Sequence, residues 1–254
     1  MRIKVLGSCS GTEPMPGRHH VSWILDTGNG IYWFDAGEGC SYNAHLWGID
    51  ILDIRSIFIS HPHMDHVGGL PELLWTVRKL EWVKKQKKNY GYLELFTPSL
   101  TSFEGTLGML KNSEGNFVVD FDFRVKKVET GLILDDGIVQ VEAIDNMHMG
   151  ILGLSKSYRI RHAGKTIVYS GDVKDISEME EWLNEGCDLM FMETGHHSVK
   201  TVCDYIAAHP KVKRLWLIHH GREILYHTQE SRELASSILG EMVHISDDGD
   251  ELEL

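Results

Sequence analysis

The sequence has no apolar run of the ~18 residues that a membrane-crossing helix needs, so no transmembrane segment is expected. Cysteine is scarce. The four present, Cys9, Cys40, Cys187 and Cys203, are scattered and form no CxxC pair. That spacing argues against a cysteine metal site and points to a reducing compartment, the cytoplasm. Met1-Arg-Ile-Lys-Val-Leu6 leads directly into a strand-like pattern and lacks a signal peptide's apolar region and cleavage site, which predicts the same location. Positive charge is in deficit: the net charge of −12 disfavours nonspecific binding to nucleic acid. A local exception is the cluster Arg78, Lys79, Lys84, Lys85, Lys87 and Lys88. It reads as a solvated helix face, with a phosphate-bearing substrate or partner as the other reading. The acidic run Asp247-Asp-Gly-Asp-Glu251 reads as a solvated terminus. No fixed-period repeat, linker or low-complexity segment interrupts the chain. With 42% hydrophobic content over 254 residues, it is expected to fold as one domain, 1–254, around a substantial core.

Strand patterns are expected at residues 3–6, 21–26, 31–35, 55–59, 92–96, 123–128, 138–144, 158–161, 166–169, 189–192 and 215–218. Leu70, Leu73, Leu74, Val77 and Leu80 mark one apolar face of a helix over residues 71–84. Further helices are expected at 99–110, 176–183, 199–209 and 229–239. This pattern predicts an α/β protein of two mixed β-sheets packed face to face, with helices on the outer faces.

What the sequence has in quantity is histidine, 15 in all. His61, His63, Asp65 and His66 stand within six residues, between the apolar Ile57-Phe58-Ile59 and the helix start Leu70-Pro71-Glu72. So much polarity at a strand end needs partners, and imidazole with carboxylate suits divalent zinc, manganese or iron. Four more polar residues stand where expected strands end: His148, Asp172 after Ser170-Gly171, Glu193 after Met192, and His219 after Ile218. His148, Asp172 and His219 bring the four of the first cluster to seven nitrogen or oxygen ligands, enough for two ions sharing a carboxylate. The chain therefore reads as a metal-dependent hydrolase.

These motifs resemble the metallo-β-lactamase superfamily, whose His-x-His-x-Asp-His motif stands here as His61 to His66. Within it, the chain looks most like ribonuclease Z and its phosphodiesterase relatives. Leu6-Gly-Ser-Cys-Ser-Gly11 resembles their glycine-rich first loop, and Phe34-Asp-Ala-Gly-Glu-Gly39 their Asp-x-Gly-Glu-Gly strand exit. The resemblance implies the αββα sandwich. It also implies that His61, His63 and His148 hold one ion, that Asp65, His66 and His219 hold the other, and that Asp172 bridges them. Asp65 has a second implied role as general base. Glu193 would hold His197, which would protonate or stabilise the leaving oxygen. The implied cofactors are two divalent ions, zinc first, with manganese or iron as alternatives. The implied assembly is a homodimer.

The same comparison shows departures. Only 24 residues separate His148 from Asp172, which leaves no room for a protruding tRNA-binding arm. Glu193-Thr-Gly195 replaces Glu-Ala-Thr, and Ser198-Val199 replaces Ser-Thr. A small phosphodiester, such as a cyclic nucleotide or sugar phosphate, is thus the expected substrate. RNA, a tRNA 3′-processing activity, and lactonase- or thioesterase-type acyl hydrolysis are the alternatives. Locally, Asp172 could instead cap a helix, as could Glu193; His219 competes with His220, and His197 with His196. Arg18, His19 and His20 read as surface residues, and Trp75 and Trp82 as core or pocket wall.

Overall fold

The computed structural model describes residues 1–13, 15–84, 90–113 and 118–254, with the backbone alone of Trp82 and Val83. Lys85, Lys87 and Lys88 of the basic cluster, and the Trp82 side chain, lie outside that description. Among the described residues the strands are β1 (Arg2–Gly7), β2 (Ser22–Asp26), β3 (Ile31–Phe34), β4 (Ile54–Phe58), β5 (Leu93–Thr97), β6 (Phe123–Lys127), β7 (Gly131–Asp135), β8 (Gln140–Asp145), β9 (Lys156–His162), β10 (Lys165–Tyr169), β11 (Leu189–Thr194), β12 (Leu215–His220), β13 (Val243–Ile245) and β14 (Glu251–Glu253). They form two seven-stranded sheets, ordered β14-β1-β2-β3-β4-β5-β6 and β13-β12-β11-β10-β9-β8-β7. Both are mixed, as expected. The chain divides into two compact units, each built on one sheet: Met1–Gly7, His19–Val128 and Asp248–Glu253 in the first, Ser8–Arg18, Glu129–Asp247 and Leu254 in the second.

In the first unit β3, β4, β5 and β6 run parallel, while β14, β1, β2 and β3 alternate in direction. β3 is a continuous apolar run because both of its faces are buried, whereas β6 alternates, with Phe123 and Val125 packed on the core and Arg124, Lys126 and Lys127 exposed. On one face Trp23, Phe34, Phe58 and Phe96 lie in register and stack at centroid spacings of 4.2, 4.9 and 4.8 Å. The opposite face, with Ile24, Trp33, Ile57 and Leu95, joins a core with three helices. These are α1 (Cys40–Leu46), then, past the short α2 (Met64–Val67), α3 (Leu70–Arg78) and α4 (Leu100–Lys111). Pro71 opens α3, where its missing N–H costs nothing, and Leu70, Leu73, Leu74 and Val77 form its buried stripe. The expected helix at 71–84 continues beyond α3 as a π-turn over Lys79–Val83, whose wider winding departs from the 3.6-residue repeat. Ser99 caps α4 by accepting the Ser102 N–H at 3.1 Å.

In the second unit β7 to β10 are antiparallel, and β10 to β13 are parallel. Val168, Met190, Met192, Leu215 and Leu217 pack on the helices α5 (Glu180–Glu185), α6 (Val199–Ala207) and α8 (Thr228–Leu239), with α7 (Arg222–Tyr226) linking β12 to α8. Ser198 caps α6, and Asp175 caps the 3-10 turn Ile176–Met179.

Several surface expectations are corrected. The acidic run is structural: Asp247 pairs with Arg18 and Arg232 in the second unit. In the first unit Asp248 accepts the His19 N–H at 2.7 Å, and β14 pairs with β1. Arg18 is not solvated; it donates to Ser8 Oγ and to the Ser246 carbonyl oxygen, at 2.8 and 3.0 Å. His20 pairs with Glu38. Arg78 is tied to the Val118 carbonyl oxygen, at 2.8 Å.

Candidate metal centre

The first unit brings four donors to the carboxyl ends of β3 and β4, an edge where side chains of parallel strands meet. β4 leads through Ile59 and Ser60 into His61, and α2 carries Asp65 and His66. The anchor is Asp35, which leaves β3 in the left-handed region, with φ at 52°. That conformation is uncommon for any residue but glycine and is tolerated best by Asp and Asn. It holds the fully buried carboxylate where Oδ1 accepts the Ser60 N–H at 2.6 Å and Oδ2 accepts the Ser60 hydroxyl at 2.7 Å. His66 Nδ1 also donates to Oδ2, at 2.8 Å, which fixes the tautomer with its lone pair on Nε2. Ser60 Oγ lies 3.1 Å from His61 Nδ1, so the same carboxylate orients a second ring through the hydroxyl. His61 Nε2 and His63 Nδ1 approach to 2.9 Å, and Asp65 Oδ2 lies 3.6 Å from His66 Nε2.

In the second unit His148, Asp172, Glu193 and His219 follow β8, sit past β10, or end β11 and β12. Asp172 is nearly fully buried and faces three imidazoles. Its Oδ1 lies 3.2 Å from His219 Nδ1, and its Oδ2 lies 3.6 Å from His148 Nε2 and 3.7 Å from His196 Nδ1. Offering its two oxygens to different rings is what a shared carboxylate ligand requires. Asp172 is not a helix cap, since Asp175 takes that place.

A bulge sends the rings of His219 and His220 to different places. Glu193 pairs with Ile218 but Thr194 with His220, so His219 is an extra residue on β12, with φ at 55°. Its ring turns to Asp172. His220 is fully buried instead, accepting from Thr194 Oγ1 through Nδ1 at 3.0 Å and donating from Nε2 to the Ser246 carbonyl oxygen at 2.8 Å. Burial lowers its pKa from 6.5 to about 3, so it stays neutral and serves the fold.

Gly195 explains one sequence departure. A Cβ there would stand 2.6 Å from His219 Nδ1, so only glycine leaves room for that ring. Gly195→Ala is expected to displace His219 and lower metal affinity about 10- to 100-fold, the range seen when ligand orientation is lost. Competition against a chromogenic chelator measures this; unchanged affinity would remove the constraint.

Glu193 is fully buried, and its own N–H donates to Ser170 Oγ at 3.0 Å. Oε2 accepts the His196 N–H at 2.8 Å, and Oε1 lies 3.1 Å from His196 Nδ1. Burial alone would raise the pKa of Glu193, but the imidazoles of His196 and His219 hold it well below the usual carboxylate range. The Glu193 hydrogen bond in turn raises the pKa of His196. His197, the histidine singled out from the sequence, lies 3.6 Å from Glu193 Oε1 and directs Nε2 to the Val173 carbonyl oxygen at 3.1 Å. Thus His196, rather than His197, joins Asp172 and His219 in a group whose ligand atoms all lie within 4.8 Å of one another. The adjacent histidines gave no sequence signal to choose by. Asp35 also went unassigned, although its Asp-Ala-Gly-Glu-Gly run was visible.

The donor set fits divalent metal. It contains imidazole and carboxylate only, it is largely buried, and Asp35 fixes the tautomer of His66. None of the four cysteines is disulfide-bonded; all are buried and stand outside it.

A family model described as Anti-Pycsar protein Apyc1 matches residues 1–237. Among curated relatives, a ribonuclease Z from Picrophilus torridus is 24% identical over 279 residues, covering 87% of this chain and 85% of its own length. Human tRNase Z, short form, superposes with a TM-score of 0.75 at 19% identity, over 100% of this chain and 99% of that one. The metallo-β-lactamase fold protein YhfI from Bacillus subtilis superposes with a TM-score of 0.74 at 16% identity, over 99% of each chain.

Proposed function

From a chain that belongs to the Anti-Pycsar protein Apyc1 family and has the metallo-β-lactamase fold, we infer a metal-dependent phosphodiesterase, related to ribonuclease Z, acting on a small phosphodiester. The observation that carries this reading is Asp172, a buried carboxylate whose two oxygens face different imidazoles, beside a second buried acid, Glu193, bound to His196. The first feature serves a pair of cations. The second supplies a proton-bearing group, which a phosphodiester's poor leaving oxygen needs.

His61, His63 and His148 would hold one divalent ion, Asp65, His66 and His219 the other, with Asp172 shared and both units forming one domain. Zinc is the first choice for these ligands, with manganese or iron as alternatives. When bound, two such ions supply Lewis acidity toward phosphoryl oxygens and acidify water. The chain's own residues do the rest. Asp65 accepts the proton of the attacking water. Asp35 and Ser60 hold the rings of His66 and His61 so that no reorientation is needed at the moment of reaction. Glu193 steadies the His196–His197 pair, from which the leaving oxygen takes its proton, and His196 makes the closer contact with it.

The short β8-to-β10 segment favours a cyclic nucleotide or sugar phosphate over tRNA. Four cysteines without a disulfide support the cytoplasm as the location, and among the described residues no helix is long and apolar enough to cross a membrane. A homodimer is the proposed assembly. The substrate class is tested by comparing bis-p-nitrophenyl phosphate with a panel of acyl-lactones and nitrocefin, on protein loaded with Zn²⁺ or Mn²⁺. Phosphodiester turnover is expected; lactone opening without it would move the protein to the acyl hydrolases.

A further inference from the structure

The loop between β8 and β9, residues 146–155, carries no charged side chain, in a chain whose charged content is 24%. Its base is fixed. Asn146 Nδ2 donates to Ser157 Oγ at 3.1 Å, and Asn146 Oδ1 accepts the His148 N–H at 3.2 Å. Glu178 Oε1 accepts the Met147 N–H at 3.0 Å. Its tip is shaped too: Gly150 and Gly153, with φ of 66° and 85°, flank Ile151 and Leu152. A Cβ at either glycine would meet nothing within 4 Å, so backbone conformation and not crowding calls for glycine there. The result is two adjacent large aliphatic side chains, 60% and 68% exposed, three and four residues beyond His148.

Exposed aliphatics held out by left-handed turns contribute nothing to the core of their own unit, and such patches mark contact sites. The loop's chemistry selects the occupant. A polynucleotide is gripped through its phosphates by Lys and Arg, and this loop offers none. A small phosphodiester has one anionic group and an uncharged organic part. On the phosphodiesterase reading, the histidine and carboxylate donors answer the anion, and the loop beginning at His148 is left to meet the organic part. We propose that Ile151 and Leu152 form the nonpolar contact for the uncharged organic group of the substrate, of nucleoside size, and so set its specificity.

The test uses the full chain loaded with Zn²⁺ or Mn²⁺ and two esters with the same leaving group, thymidine 5′-(p-nitrophenyl phosphate) and methyl p-nitrophenyl phosphate. Wild-type protein should prefer the thymidine ester in kcat/KM. The double variant Ile151→Ser/Leu152→Ser should lose about tenfold of that preference, through KM, as expected when apolar contact with the distinguishing group is removed. Ile151→Val/Leu152→Met should restore most of it, which a merely structural role would not require. An unchanged preference in the serine variant overturns the proposal. So does an unchanged preference accompanied by a drop from dimer to monomer in light scattering, which would assign the tip to a second copy of this chain. Failure of the wild type on both esters would bring down the phosphodiesterase reading itself, and this proposal with it; turnover with unaltered preference removes only the loop's role.

Discussion

Asp172→Asn is expected to lower kcat/KM on bis-p-nitrophenyl phosphate by at least about 10³-fold, because on the proposed assignment transition-state charge stabilisation worth several kcal/mol would depend on the ions this carboxylate shares. The substitution keeps the side chain's volume and removes its charge. Its surroundings make the effect specific: Oδ1 faces His219 at 3.2 Å while Oδ2 faces His148 at 3.6 Å. An amide turns a nitrogen toward one of these rings and cannot serve two cations. Metal analysis by plasma mass spectrometry should show the loss of at least one equivalent. The thermal midpoint of the metal-free protein should hold or rise, since a buried carboxylate among polar donors carries a desolvation cost that the amide lacks. Full metal content with turnover within tenfold of wild type would remove Asp172 from the centre.

The second large effect separates two neighbours. His196→Ala should cost about 10²–10⁴-fold with a nucleoside leaving group, the usual worth of general acid catalysis, and far less with p-nitrophenolate, which leaves without a proton. His197→Ala should show no such dependence on the leaving group. The reason is geometric: His196 holds Glu193 through both its N–H and its ring, whereas His197 is turned to the Val173 carbonyl oxygen. Measuring kcat for a series of aryl and alkyl esters decides it. Leaving-group sensitivity in the His197 variant and none in the His196 variant would exchange their roles.

Much of the molecule was legible in the sequence where the signals were local. The Leu70 to Val77 stripe, the apolar strands from Ile57 to Ile59 and from Leu189 to Met192, and the dense His61 to His66 run all express their environment within a few residues. What escaped notice depends on distant partners. β14 is three residues long and acidic, and only its ladder with β1 makes it a strand. β7 is half exposed and is a strand through its pairing with β8. The choice of His196 over His197 rests on how the turn after β11 folds back on Glu193. The bulge that separates His219 from His220 is a property of the β11–β12 register, and strand alternation cannot foretell an inserted residue. Gly195 appeared as a mismatch to a motif; its cause is the imidazole that occupies the space of its missing side chain.

The pairing of β14 with β1 also bears on how the protein is made. Arg2 lies opposite Glu253, so the first sheet joins residues some 250 positions apart in the sequence. Translation at about 5–20 residues per second means that β1 waits on the order of ten seconds or more for that neighbour to be synthesised. Until then it presents an unpaired edge, open to association with other chains. Closure of that sheet thus waits on the whole intervening chain, and such non-local pairing favours slow folding. Ribosome-stalled chains truncated before β14 should therefore engage chaperones that chains carrying β14 escape.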